Sequence, residues 1–167
     1  MSPRSPQASP PRHALTLCAS LVQNPMNLGA LCRTAEVWGL QELVLPSLDV
    51  LAERDFQKVA VSADQWQPVS SCHRDRLPEW IAQQQQQAIT VIALARHPQA
   101  IALPTFVFPR QTALLLGREL TGIPEGLMQQ CDAIVEIPQW GHVDSMNVST
   151  AAAIAAYEYL RQHPLKT

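Results

Sequence analysis

The stretch from Ala14 to Leu21 is almost wholly apolar, interrupted by Thr16 and Ser20 and continued by Val22. An unbroken run of this length suits a strand covered on both faces, as in a parallel sheet. Asn24-Pro25 breaks it. From Leu28 the apolar positions Leu31, Ala35 and Trp38 recur at helical spacing until Gly39, and Glu42 to Leu45 reads as a second strand, which together make one βαβ unit. The same alternation predicts a helix near Glu53 to Ala60, a strand near Gln67 to Val69, a helix near Pro78 to Gln87 and a strand from Ile89 to Leu94. Further on come the strand Thr112 to Leu116, a short helix Ile123 to Gln130 with Pro124 near its first turn, the strand Ala133 to Ile137 and a helix from about Met146 to Arg161. The expected class is therefore α/β, a mainly parallel sheet with helices on both faces.

The chain has 167 residues, 47% of them apolar, enough for one packed domain over residues 14–167. Residues 1–13 are expected to be a disordered, proline-rich arm. Arg4, Arg12 and His13 make it mildly basic, but charges this sparse fit a flexible terminus better than a nucleic-acid grip. No apolar run reaches the roughly 18 residues of a membrane span, and nothing before Ala14 resembles a signal peptide, so a cytoplasmic protein is expected. Cys18, Cys32, Cys72 and Cys131 lie far apart without metal-ligand spacing; they read as buried thiols, with no metal site. The net charge of −2 gives no sign of phosphate binding. The glutamines from Gln83 to Gln87 read as a solvated helix face, and the alanines at 151, 152, 153, 155 and 156 as a surface on which another helix packs, within the chain or across a subunit interface.

No P-loop and no dinucleotide fingerprint is present. In an open parallel sheet the turns after Leu94, Leu116 and Ile137 would share the carboxyl edge, where such folds bind ligands. Gly117 would let backbone approach a ligand, and the start of the last helix would offer amide donors to a carboxylate. Such a pocket suits S-adenosylmethionine.

Three polar turns sharpen this picture: Asn24-Pro25-Met26-Asn27-Leu28-Gly29-Ala30-Leu31-Cys32-Arg33-Thr34-Ala35, Gly117-Arg118-Glu119, and Ser145-Met146-Asn147-Val148-Ser149. In order and spacing they resemble the three motifs of the SPOUT-superfamily RNA 2′-O-ribose methyltransferases of the TrmH (SpoU) type, over about Leu15 to Gln162. The resemblance implies a C-terminal deep trefoil knot, S-adenosyl-L-methionine as cofactor, an RNA substrate and a homodimer. Carried over by position, it places the cofactor against Leu94, Ala95, Leu116, Gly117, Arg118, Glu119, Ile137, Pro138, Ser145, Met146 and Asn147, and makes Arg33, Asn27, Glu119, Ser145 and Asn147 the catalytic set.

A guanidinium is not deprotonated in proteins, so Arg33 is expected to hold a phosphate and stabilise the forming alkoxide, not to act as a base. Glu119 could brace its loop or meet substrate, and Asn147 or Ser145 could cap the last helix. Trp140, His142 and Asp144 are expected near the site. The words Leu31 to Gly39, Val61-Ser62-Ala63-Asp64-Gln65-Trp66 and Val135 to Gln139 resemble the tRNA guanosine-18 methyltransferases within this family. Ribosomal RNA or the tRNA wobble nucleotide are the alternatives; an inactive RNA-binding dimer and a small-molecule-binding module are readings of another class.

Overall fold

The computed structural model describes residues 10–165. Seven strands form one sheet: β1 (His13–Cys18), β2 (Leu40–Leu45), β3 (Val69–Ser71), β4 (Thr90–Leu94), β5 (Ile101–Ala102), β6 (Thr112–Leu116) and β7 (Ala133–Glu136). Their spatial order is β3-β2-β1-β6-β4-β7-β5, and every neighbouring pair is parallel. Side chains alternate cleanly along the central strands. Leu15, Leu17, Leu43, Leu45, Ile92, Leu114 and Leu116 face one layer, while Cys18, Val44, Val91, Ala93, Ala113 and Leu115 face the other. Both faces are apolar because both are covered, which is why these strands read as continuous hydrophobic runs.

On the first face lie α1 (Pro25–Val37), α2 (Arg54–Ala60) and α5 (Val148–Gln162), and on the second α3 (Leu77–Gln86) and the single turn α4 (Glu125–Met128). The α1–α2 contact is tight enough that a Cβ on Gly29 would sit 2.5 Å from the Phe56 carbonyl oxygen. Only glycine fits there. From β7, at one side of the sheet, α5 returns to pack on α1 and β1. Its far end is fixed by the Tyr159 hydroxyl donating to the Arg110 carbonyl at 2.6 Å and by the Gln162 side chain, which accepts from the Phe108 amide and donates to the Phe106 carbonyl.

Several boundaries differ from expectation. Helix α1 begins at Pro25, not Leu28: the Asn24 side chain accepts from the Met26 amide and caps it, and proline at the first position lacks an amide that would have had no partner. Strand β3 lies two residues late, because Gln67 is buried and its amide donates to the Leu40 and Pro68 carbonyls. Pro124 precedes α4, which ends after Met128, and α5 starts only at Val148 because Asn147 is its cap. Strand β5, two residues at the sheet edge, was not anticipated. At the amino end, His13 already opens β1, and Arg12 is fixed by donation to the Leu40 and Trp66 carbonyls, Gln67 and Glu36; the folded body thus reaches into the stretch assigned to the arm. Residues 1–9 lie outside the described residues.

Ala152, Ala155 and Ala156 are fully buried within the chain's own core, so the alanine stripe serves intramolecular packing. Among the described residues no helix is long and apolar enough to cross a membrane.

Candidate active site

The turns that follow β4, β6 and β7 enclose a cavity of about 330 Å³ on the carboxyl edge, a size suited to a small ligand. Of the residues expected to face a cofactor, Leu94, Ala95, Leu116, Gly117, Arg118, Glu119, Ile137, Ser145 and Met146 do line it. Pro138 and Asn147 do not. The shape depends on a close turn: a Cβ on Gly117 would lie 2.8 Å from the Gly122 carbonyl carbon, and the Arg118 and Gly122 backbones bridge across it. Leu120, Thr121 and Gly122 therefore join the wall, a contribution that the second glycine five residues after Gly117 could have signalled. Arg96 was also missed; it donates to the Asp144 carbonyl at 2.8 Å and draws the loop before α5 toward β4.

The buried Nε of Arg118 has no hydrogen-bond partner among the described residues. A buried donor without an acceptor is costly unless a ligand supplies one. The start of α5 offers less than expected, since the Asn147 carboxamide oxygen already accepts from the Ser149 and Thr150 amides. Val148 is left as the free first-turn donor beside the cavity.

At the cavity's rim three distant motifs meet in one hydrogen-bonded chain. Asn147 donates through Nδ2 to Asn27 Oδ1 at 3.0 Å, and Asn27 donates through Nδ2 to Glu119 Oε1 at 3.2 Å. Glu119 also accepts from the backbone amides of Asn24, at 2.9 Å, and Gln23. Burial alone would push this carboxyl up, but the donors from Asn24, its own amide, Asn27 and Gln23 outweigh it and hold Glu119 below the usual carboxylate range. An ionised Glu119 thus ties the β6 turn to the β1–α1 turn, and bracing is the role the geometry gives it. Asn27 is not the α1 cap; its side chain links Glu119 to the α5 cap, and Asn147, not Ser145, is that cap.

Arg33 stands apart from this arrangement. It is exposed on α1, lines neither this cavity nor a second one over β1 and β2, and forms no ion pair among the described residues. Of the loop residues expected nearby, Asp144 lines the cavity and Trp140 is 91% exposed beyond it. Among the described residues no cluster could hold a metal ion.

Residues 14–157 match the model of the SpoU rRNA Methylase family. The chain belongs to this family. It is 42% identical over 151 residues to the tRNA (guanosine(18)-2′-O)-methyltransferase TARBP1 of Mus musculus, covering 90% of this chain and 10% of that protein. To the tRNA (guanosine(18)-2′-O)-methyltransferase of Escherichia coli it is 31% identical over 150 residues, covering 89% and 63%. The chain thus spans a tenth of one relative and under two thirds of the other. Among solved structures, the AdoMet-bound rRNA methyltransferase from Sinorhizobium meliloti superposes with a TM-score of 0.75 at 25% identity, over 91% of this chain and 56% of that one. The SpoU fold is therefore the frame in which the cavity and its hydrogen-bonded rim are to be understood.

Proposed function

We propose that this SpoU-family domain transfers a methyl group from S-adenosylmethionine to a ribose 2′-hydroxyl of RNA, with guanosine 18 of tRNA as the nucleotide. The observation that carries the reading is the rim: Asn27, Glu119 and Asn147, from three separate motifs, converge beside a cavity that fits the cofactor. Identity of 42% to a relative named for guanosine 18 supports the substrate.

The cavity fits the cofactor on its own chemistry. Leu94, Leu116, Ile137 and Met146 provide apolar walls for an adenine and a thioether-like chain, and the orphaned Arg118 donor awaits an acceptor. S-adenosylmethionine, when bound, supplies the sulfonium methyl group. With it bound, the rim and Arg33 would hold the ribose 2′-hydroxyl toward that methyl group, and the hydroxyl proton would leave to phosphate or water. The chain's own work is placement: the rim fixes the turns, and Arg33 clamps a phosphate and stabilises the developing oxyanion.

Arg33 can do so only if the cavity it serves belongs to a second copy, since neither cavity described on its own chain includes it. A homodimer follows, paired through the outer faces of α1 and α5, where Val37 is 72% and Tyr157 60% exposed and Trp38 lies against Tyr157 with ring centroids 5.9 Å apart. The return of α5 from β7 across to β1 supports the expected knot, and the four free thiols a cytoplasmic location.

Labelled-methyl transfer tests the proposal. Incubation with tRNA transcripts should give 2′-O-methylguanosine at position 18 and none when that nucleotide is changed. Label in a base, or no label in any RNA while the cofactor binds, would overturn it.

A further inference from the structure

A second cavity, of about 350 Å³, opens beside the first on the same carboxyl edge, over the ends of β1, β2 and β3. Its floor is apolar, formed by Leu28 and Val50 among others, and its rim carries Asp49, Glu53, Arg74 and Gln23. Among the described residues neither the Asp49 nor the Glu53 carboxylate has an ion-pair partner. The turn after β3 adds His73 and Arg74 to the lining, where the Arg74 guanidinium lies 3.9 Å from Asp75 and pairs with neither Asp49 nor Glu53. The backbone of Gln23 donates to Glu119, so the two cavities share a wall. A group held in one lies next to a group held in the other.

An apolar floor with polar groups at the edge is what a flat heterocycle requires, stacking by its face and hydrogen-bonding by its rim. The rim chemistry selects among bases. A carboxylate is an acceptor only, and of the four RNA bases guanine alone presents two adjacent donors, N1–H and N2–H2. Guanine also presents O6 and N7 as acceptors, which an arginine contacts through its fork. Adenine, cytosine and uracil would leave at least one carboxylate facing an acceptor.

We propose that this cavity receives the guanine of the RNA nucleotide whose ribose is methylated, with Asp49 and Glu53 accepting from N1–H and N2–H2 and Arg74 donating to O6 or N7. The inference rests on the RNA methyltransferase reading and adds to it a determinant of base choice. Asp49 and Glu53 act on recognition, not on the methyl transfer itself.

The test uses the full chain and its Asp49→Asn, Glu53→Gln and Arg74→Ala variants with two RNAs, bearing guanosine or inosine at the target position. Inosine lacks the N2 amino group and keeps O6 and N7. The unaltered protein should prefer guanosine by about tenfold in kcat/KM, through KM. Asp49→Asn with Glu53→Gln should raise KM for guanosine and bring the ratio near one, while calorimetric affinity for S-adenosylmethionine stays unchanged. Arg74→Ala should raise KM for both RNAs and keep the ratio. Transfer with an unaltered ratio in the carboxamide variants would overturn the cavity assignment and leave the proposed activity standing. No transfer to either RNA by the unaltered protein would sink the activity, and with it this inference. Titration of guanosine monophosphate separates a third case: binding that does not compete with RNA would make the cavity a site for free nucleotide and equally overturn the assignment.

Discussion

The two cavities lie on one edge of one sheet, yet they are built differently. The cavity over β4, β6 and β7 sets apolar walls from Leu94, Leu116, Ile137 and Met146 among tight turns, with Gly117 against Gly122 and the capped start of α5 fixing its shape. The cavity over β1, β2 and β3 is made of side chains on ordinary connections, with charges at its rim. A cavity shaped by a close glycine turn tolerates little change, whereas polar side chains on ordinary connections can be altered without moving the backbone. The chain Asn147–Asn27–Glu119 lies where they meet.

The largest effect should come from the residue in neither wall. Arg33→Ala should lower methyl transfer on the order of a hundredfold to a thousandfold while S-adenosylmethionine binding, followed by calorimetry, stays near normal. Arg33→Lys should recover little, because lysine lacks the planar fork that clamps phosphate. Near-normal turnover of the lysine variant would show that a bare positive charge suffices.

Next comes the close glycine turn. Gly117→Ala puts a methyl group 2.8 Å from the Gly122 carbonyl carbon, and neither strand end can retreat without opening the Arg118–Gly122 bridge. Overpacking of this kind costs about 1–3 kcal/mol, so cofactor affinity should fall roughly tenfold or more, with guanosine-to-inosine selectivity unchanged among the molecules that still bind. The same variant tests the dimer. If Arg33 serves the partner's cavity, refolding equal amounts of Arg33→Ala and Gly117→Ala chains together, assayed at cofactor too dilute for Gly117→Ala alone to turn over, should restore about a quarter of normal activity, since half the dimers are mixed and each mixed dimer has one intact site. No recovery would place Arg33 in its own chain's site.

The contrast between the cavities also explains which parts were legible. Continuous apolar runs in β1, β4 and β6 announced strands covered on both sides, and Gly117-Arg118-Glu119 announced the turn after β6, because that backbone demands a glycine. Asn24-Pro25 misled: as a break it delayed α1, whereas as cap and first residue it starts the helix. Strand β5 has two residues and no periodicity to detect. The contact of Asn27 with Asn147, 120 positions away, and the cavity rimmed by Asp49, Glu53 and Arg74 leave no local mark, since ordinary loops accept almost any polar residue. The words Val61 to Trp66, which supported the resemblance, include the Trp66 carbonyl that accepts from Arg12 and the left-handed Val61 and Ser62; none of these residues lines either cavity.

Smaller effects should appear along the shared rim. Asn147→Ala removes the α5 cap and its link to Asn27, and loss of such a cap costs about 1 kcal/mol. Because Asn147 does not line the cofactor cavity, its loss should lower stability and turnover more than cofactor affinity. A double-mutant cycle of Asn147→Ala with Asn27→Ala should show coupling, which residues out of contact lack. Independent, additive losses would mean the hydrogen bond between them contributes nothing.

The smallest effect should be a pH dependence located at Glu119. Its carboxyl lies below the ordinary glutamate value of 4.5 in the folded protein, so the unfolded chain binds a proton more readily and the ionised form favours folding. That contribution is fully present above the unfolded value and is lost as pH falls through the folded one. Glu119→Gln preserves shape and removes the charge, so urea midpoints of the two proteins should differ at pH 7 and converge as the medium is acidified below pH 4.5. Cofactor affinity should weaken over the same window, because the β6 turn then loses its tie to Gln23 and Asn24. A difference between the two proteins that stays constant from neutral to acid pH would show that the rim depends on shape alone and that the charge on Glu119 is incidental.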